Sequence, residues 1–211
     1  MLELFTKYPF LLNYSIEDPL VRNQGQPNQP NNSMVFFALE HGKRDWLQSA
    51  LPHLEYLHLI DFLNPDLLSE FFQKWLPKCS DLHQLSTHSK IDKDFVYLSA
   101  ALPSLTRLLN INLIIFGSNS FIPNLPGSIE TCKIVPMGAY LYRCIDGQYI
   151  TEINRDSLIA LISPLLLFFE QHPDATFELS LYSKLSTDQQ EIKELLNVSQ
   201  FPKERFSLTH Y

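Results

Sequence analysis

Apolar and polar residues alternate in blocks along this chain, and the period changes from block to block. Residues 34–39 (MVFFAL) form a short unbroken apolar run, the pattern of a buried strand. Trp46, Leu47, Ala50, Leu51 and Leu54 follow at a spacing that puts them on one helical face. Residues 56–62 (YLHLIDF) predict a second strand. Asn64, Pro65 and Asp66 then make a helix start: an N-cap, a proline at the first position, and an acid at the positive end of the dipole. The stripe Leu67, Leu68, Phe71, Phe72, Trp75 and Leu76 continues that helix up to Pro77.

Residues 78–93 are polar and read as loop, 95–98 as a third strand, and Leu102, Leu105, Leu108 and Leu109 as a third helix. Residues 111–116 (INLIIF) are the best strand candidate, with the turn Gly117-Ser118-Asn119-Ser120 after it. Strands alternating with helices predict an α/β fold, layered and Rossmann-like, with a mostly parallel sheet and flanking helices. Pro123, Pro126 and Gly127 make 118–132 irregular and mark a junction. Beyond it, strands at 140–144 and 148–153 flank Asp146-Gly147, a hairpin signal. Leu158, Leu161, Ile162, Leu165, Leu166 and Phe169 make a helical stripe bent at Pro164. A strand at 176–182, a helix at 187–198 capped by Ser186, and a strand at 206–211 complete the pattern. The division is then an N-terminal segment with an Asn/Pro-rich loop (1–33), an α/β body (34–120), and a smaller α/β unit (133–211). Within the first, residues 1–14 are apolar and aromatic, as a short strand or helix packed on the body would be.

Composition narrows the function. The chain has 211 residues and a net charge of −7, so it is not a general nucleic-acid binder, which needs clustered Lys and Arg. Three cysteines do not make a disulfide scaffold. The start lacks a basic leader, and the longest apolar run (158–169) is broken by Ser163 and Pro164 and falls short of the ~20 residues of a membrane span. These features predict a soluble, cytoplasmic protein with no transmembrane segment. Charged residues are only 18% while aromatics reach 12%. Either some apolar surface meets a protein partner, or the core is well buried and Asn, Gln and Ser supply the polar surface.

Candidate chemistry is sparse. Cys79, His83 and His88, or His53 and His58, do not follow the usual zinc spacings, so no metal site is expected. Gly117, Ser118 and Asn119 follow a buried strand and could offer backbone N–H groups to a phosphate or sugar, although the stretch has one glycine and not a GxGxxG pattern. His41, Lys43 and Arg44, with Gly42 between them, follow the first expected strand and could meet a diphosphate at a helix start. Asp61 at a strand end could face a ligand crevice or cap the next helix. No GxSxG elbow is present. Cys79, Cys132 and Cys144 are the candidate thiol nucleophiles, each requiring a nearby base.

One resemblance gives these features a direction. Residues 133–140 (KIVPMGAY) resemble the "K-x-I-P-N-G-x-D" entry to the second domain of bacterial GT-B glycosyltransferases. Residues 158–182, with His172-Pro173-Asp174 between a helix and a strand, are similar to the sequence common there, and 203–211 (KERFSLTHY) resemble the next strand. The resemblance implies a sugar-nucleotide-dependent transferase of bacterial surface-glycan or glycoprotein biosynthesis. It implies a nucleotide-sugar donor, a glycan acceptor and no other cofactor, with Gly138, the 41–44 group and the 117–120 turn as the matching ligand features. Met137 and Tyr140 depart from the family's Asn and Asp, and Tyr182 and Ser183 stand where a glycine is usual. The family's donor-nucleotide segments lie further downstream, so a truncated or inactive member is implied, with no catalytic residue assigned. The alternatives from the residues themselves are a non-catalytic adaptor or protein-interaction domain, and a thiol enzyme.

Overall fold

A computed structural model describes residues 7, 33–59, 65–89, 92–115, 121–137, 140–145, 148–153, 155–181, 194 and 200–210. Helices α1 (Ser33–Glu40) and α2 (Arg44–Ala50) precede strand β1 (Tyr56–Leu59). Helix α3 (Pro65–Glu70) runs on through wide π-type turns (Phe71–Trp75) and a tight turn (Leu76–Lys78) before β2 (Gln84–Ser89). Helix α4 (Asp92–Ala101) leads to β3 (Asn110–Ile115), and a short turn (Ile122–Asn124) leads to β4 (Thr131–Pro136). The hairpin β5 (Tyr140–Ile145) and β6 (Gln148–Ile153), helices α5 (Arg155–Ile162) and α6 (Leu165–Gln171), and strands β7 (Thr176–Leu181) and β8 (Phe206–His210) follow. Six strands form one all-parallel sheet in the order β1-β2-β3-β4-β7-β8, while β5 and β6 pair antiparallel. This is the layered, Rossmann-like α/β fold with flanking helices that the alternation predicts.

The stripes behave as their spacing requires. Trp46, Leu47, Ala50, Leu51 and Leu54 are all buried, as are Leu68, Phe71, Phe72, Trp75 and Leu76. Ser163 and Pro164 break the later stripe into α5 and α6; its Leu158, Leu165 and Phe169 are buried, Phe168 is buried beside them, and Leu166 is exposed. The strands expected at 111–116, 140–144, 148–153, 176–182 and 206–211 are present as β3, β5, β6, β7 and β8. Asn64, Asp61, Asp146, Gly147, the segments 1–6 and 8–32 and the helix expected at 187–198, Glu194 apart, lie outside the described residues.

Four local expectations are corrected. Residues 34–39 are helical, because an unbroken apolar run has no period of its own and Gly42 provides a helix stop. Residues 84–89, expected as loop, are β2; only Leu85 in that stretch is a large apolar residue, yet the strand is paired on both sides. Residues 95–98 belong to α4, whose buried Leu98 and Ala101 recur at helical spacing. The leucines at 102, 105 and 108 are buried from tight turns and not from a third helix. The expected boundary at 118–132 joins two neighbours of one sheet: β3 and β4 pair over six residues, from Asn110 with Thr131 to Ile115 with Pro136. Described strands from 34–120 and from 133–211 therefore belong to one sheet, and among the described strands the β5–β6 hairpin forms a separate one.

Strand order and helix contacts together define the layers. Parallel crossovers are almost always right-handed, so a sheet whose strands follow in sequence puts every crossover on the same face. The described crossovers from β1 to β7 touch in turn: α4 packs on the turns after α3 and on the Ile122–Asn124 turn, and that turn packs on α6. The sheet face beneath them carries Leu57, Leu85, Ile111, Cys132, Phe177 and Phe206 in one register row, and Leu59, Thr87, Leu113, Ile134, Leu179 and Leu208 in another. Apart from Thr87, these residues belong to one continuous hydrophobic core or pack against it. The residues between them face the other way and are absent from that core, Val135 included.

Candidate functional site

The group His41, Lys43 and Arg44 sits between two helices, not between a strand and a helix. Gly42 has φ +63°, a left-handed conformation that suits glycine. Its N–H donates to the carbonyl of Leu39 (3.2 Å), and the N–H of Lys43 donates to that of Ala38 (2.8 Å), the paired bonds of a Schellman stop. The His41 ring stacks on Phe37 at 4.0 Å, with Nδ1 2.9 Å from the Phe37 carbonyl oxygen. The backbone N–H groups of Gly42 and Lys43 thus serve to end α1, and Lys43 and Arg44 are exposed side chains.

Gly117, Ser118, Asn119 and Gly138 lie outside the described residues. The segments that carry them start from Ile115 and Pro136, a register pair at the carboxyl ends of neighbouring strands. Among the described residues no group of three or more His, Cys, Asp and Glu comes together as metal ligands. His53 is exposed and His83 half-buried. Cys79 is buried, with its thiol donating to the Trp75 carbonyl, and burial pushes its pKa up to about 12. Cys132 lies in the core face of β4, where burial raises its thiol as well. A protonated, shielded thiol is a poor nucleophile. Iodoacetamide at neutral pH is therefore expected to leave both unmodified in the native protein and to label both in denaturant; mass spectrometry of the two cysteine peptides reads the outcome.

The sheet face opposite the core holds a feature that reading by segments missed. His58, Ser86, Asn112, Lys133, Glu178 and Ser207 occupy one register row across all six strands. Adjacent strands lie about 4.8 Å apart, so the row presents polar groups at that repeat. Lys133 Nζ lies 2.8 Å from Glu178 Oε1, with both side chains about a quarter exposed (27% and 29%). Ser180 Oγ and Thr209 Oγ1 approach the same oxygen at 2.9 and 2.8 Å and lie 2.7 Å from each other. Burial alone would raise the Glu178 carboxyl, but these hydrogen bonds and the Lys133 charge outweigh it and hold it below the usual carboxylate range. Burial lowers the His58 imidazole. Asn112 Oδ1 is shielded from solvent and accepts no hydrogen bond among the described residues. The row is legible in the sequence only once the strands are aligned: each of its first five members is the third residue of its strand. Chemically this face offers donors and acceptors to a polar partner, and its most buried hydroxyl, that of Ser180 beyond the row, is already engaged. No family model, curated protein or solved structure matches the chain.

Proposed function

We propose that the protein is a non-catalytic binding module, an adaptor that holds a protein partner against the polar face of its sheet. The sequential strand order carries this reading. Ligands of open α/β sheets bind where the strand order reverses, and the six described strands run on without a reversal. What the sheet offers is the row from His58 to Ser207. Apart from the row, Ile159, Leu166 and Leu167 on α5 and α6 are exposed apolar surface, one of the two readings of the low charge. A glycosyltransferase is the second reading, favoured by the layered α/β fold, by residues 133–140 at β4, and by His172-Pro173-Asp174 leading into β7.

The test uses the intact protein and a partner recovered with it from its own cells. His58→Glu and Asn112→Arg are expected to weaken binding at least tenfold, whereas Val96→Glu, on the exposed side of α4, binds as the wild type does. Unchanged binding by both row variants overturns the reading. A panel of nucleoside diphosphate sugars is run beside it by thermal shift. A rise in Tm with any of them favours the transferase, since a ligand that binds only the folded state must stabilise it.

A further inference from the structure

His172 ends α6 and opens the turn into β7, and it is only 4% exposed. Both ring nitrogens are shielded from solvent, and neither makes a hydrogen bond among the described residues. The ring packs against Phe168 with centroids 5.0 Å apart. A buried polar ring without a partner is uncommon and is tolerated only in its neutral form. The residue is also tied to a fixed cation. Arg205 Nη1 donates to the carbonyl of His172 (3.1 Å) and to that of Pro173, and its guanidinium lies over the Phe169 ring at 5.0 Å. Arg205 in turn accepts the Phe177 N–H on its own carbonyl (2.7 Å) and immediately precedes β8. Strand β8 is an edge of the described sheet, paired on one side with β7.

We propose that His172 is a proton-sensitive latch on the C-terminal strand: protonation in mildly acidic solution releases β8 while β1 to β4 stay folded. The charged residues on the elements that meet here are few. Glu170 on α6, Asp174 in the turn, and Lys203 and Glu204 before β8 are exposed, and the Ile122–Asn124 turn carries none. Among the described residues Arg205 is the one whose charge reaches the joint, and it opposes a second cation there. Burial already holds the imidazole below its ordinary 6.5. Between the folded and unfolded pKa values the unfolded chain binds more protons, so stability at this joint is complete above about pH 6.5 and falls as the pH drops below it.

Hydrogen exchange on the intact protein between pH 7.5 and 5.0, corrected for intrinsic rates, tests the latch. Amides of residues 206–210 are expected to exchange at least tenfold faster at the acid end relative to those of 110–115, with a midpoint that follows the His172 imidazole titration measured by NMR. His172→Phe is expected to remove the acceleration. Parallel acceleration of both strands, the same acceleration in His172→Phe, or an imidazole that titrates at or above 6.5 overturns the proposal. The wild-type titration decides alone if the variant does not fold.

Discussion

Phe177→Ala is expected to lower the unfolding free energy by about 3–5 kcal/mol, the cost of emptying a buried aromatic site. Phe177 is 1% exposed at the centre of an aromatic chain. Phe168 meets it edge-on at 5.4 Å, and Phe206 lies nearly parallel to it at 6.3 Å. Phe206 contacts Phe201 at 4.9 Å, Phe201 contacts Phe169 at 6.0 Å, and Phe169 returns to Phe168 at 5.3 Å. The ring of contacts joins α6, β7 and β8, so little of it can close over a cavity without moving backbone. Urea unfolding followed by tryptophan fluorescence measures the loss. Phe37→Ala is the control: that ring is 42% exposed and stacks only on His41 among the described aromatic contacts, so its change stays within about 1 kcal/mol. A small effect at Phe177 would mean that the aromatic chain does not hold the C-terminal strands to the helix layer.

The same cluster explains part of the unusual composition. Ten described aromatic residues are buried in the core, Phe71, Phe72, Phe121, Phe168 and Phe177 most completely. Of the two sources considered for the low charge, a well-packed core therefore accounts for many of the rings, and the exposed Ile159, Leu166 and Leu167 remain for a partner.

Where period and burial coincide, the fold was legible in the residues. Strand β3 carries Ile111 and Leu113 into the core, and the helix stripe from Leu67 to Leu76 is buried at every large apolar position after the half-buried Leu67. Legibility fails in two situations. A short unbroken apolar run such as 34–39 satisfies both strand and helix, and the decision rests on Gly42, two residues past the helix, whose positive φ lets the chain turn back on itself. A central strand with one face polar, such as β2, shows little hydrophobicity, since Ser86 belongs to the polar row and Thr87 occupies a core position without being apolar. The polar row failed to appear for the same reason. Its members are separated by 21 to 45 positions between neighbouring strands, and only the register brings them together; the Lys133–Glu178 pair is 45 positions apart. The 41–44 group, chosen from a local motif, holds a helix stop, because a glycine followed by basic residues serves a C-cap as readily as an anion site.

The energetic weight of that row is concentrated at Glu178, and its removal is the second large effect expected. Glu178→Ala deletes the acceptor of Lys133, Ser180 and Thr209 at once and is expected to cost about 1–3 kcal/mol, the range for hydrogen bonds to a charged group. The double variant Lys133→Met with Glu178→Leu is expected to be more stable than Glu178→Ala, since it removes both charges from a partly buried site and leaves none facing apolar surface. The acid limb distinguishes this from simple packing loss. Glu178 is held below its ordinary 4.5 in the folded protein, so its contribution is present above that pH and is lost as the pH falls through the lower, folded value. Wild type and Glu178→Ala should therefore differ in urea midpoint at pH 7 and converge as the pH is lowered through the carboxylate range. A constant difference at every pH would assign the loss to shape and not to charge. The polar row would then be a tolerated face of the sheet and not one organised around an ion pair.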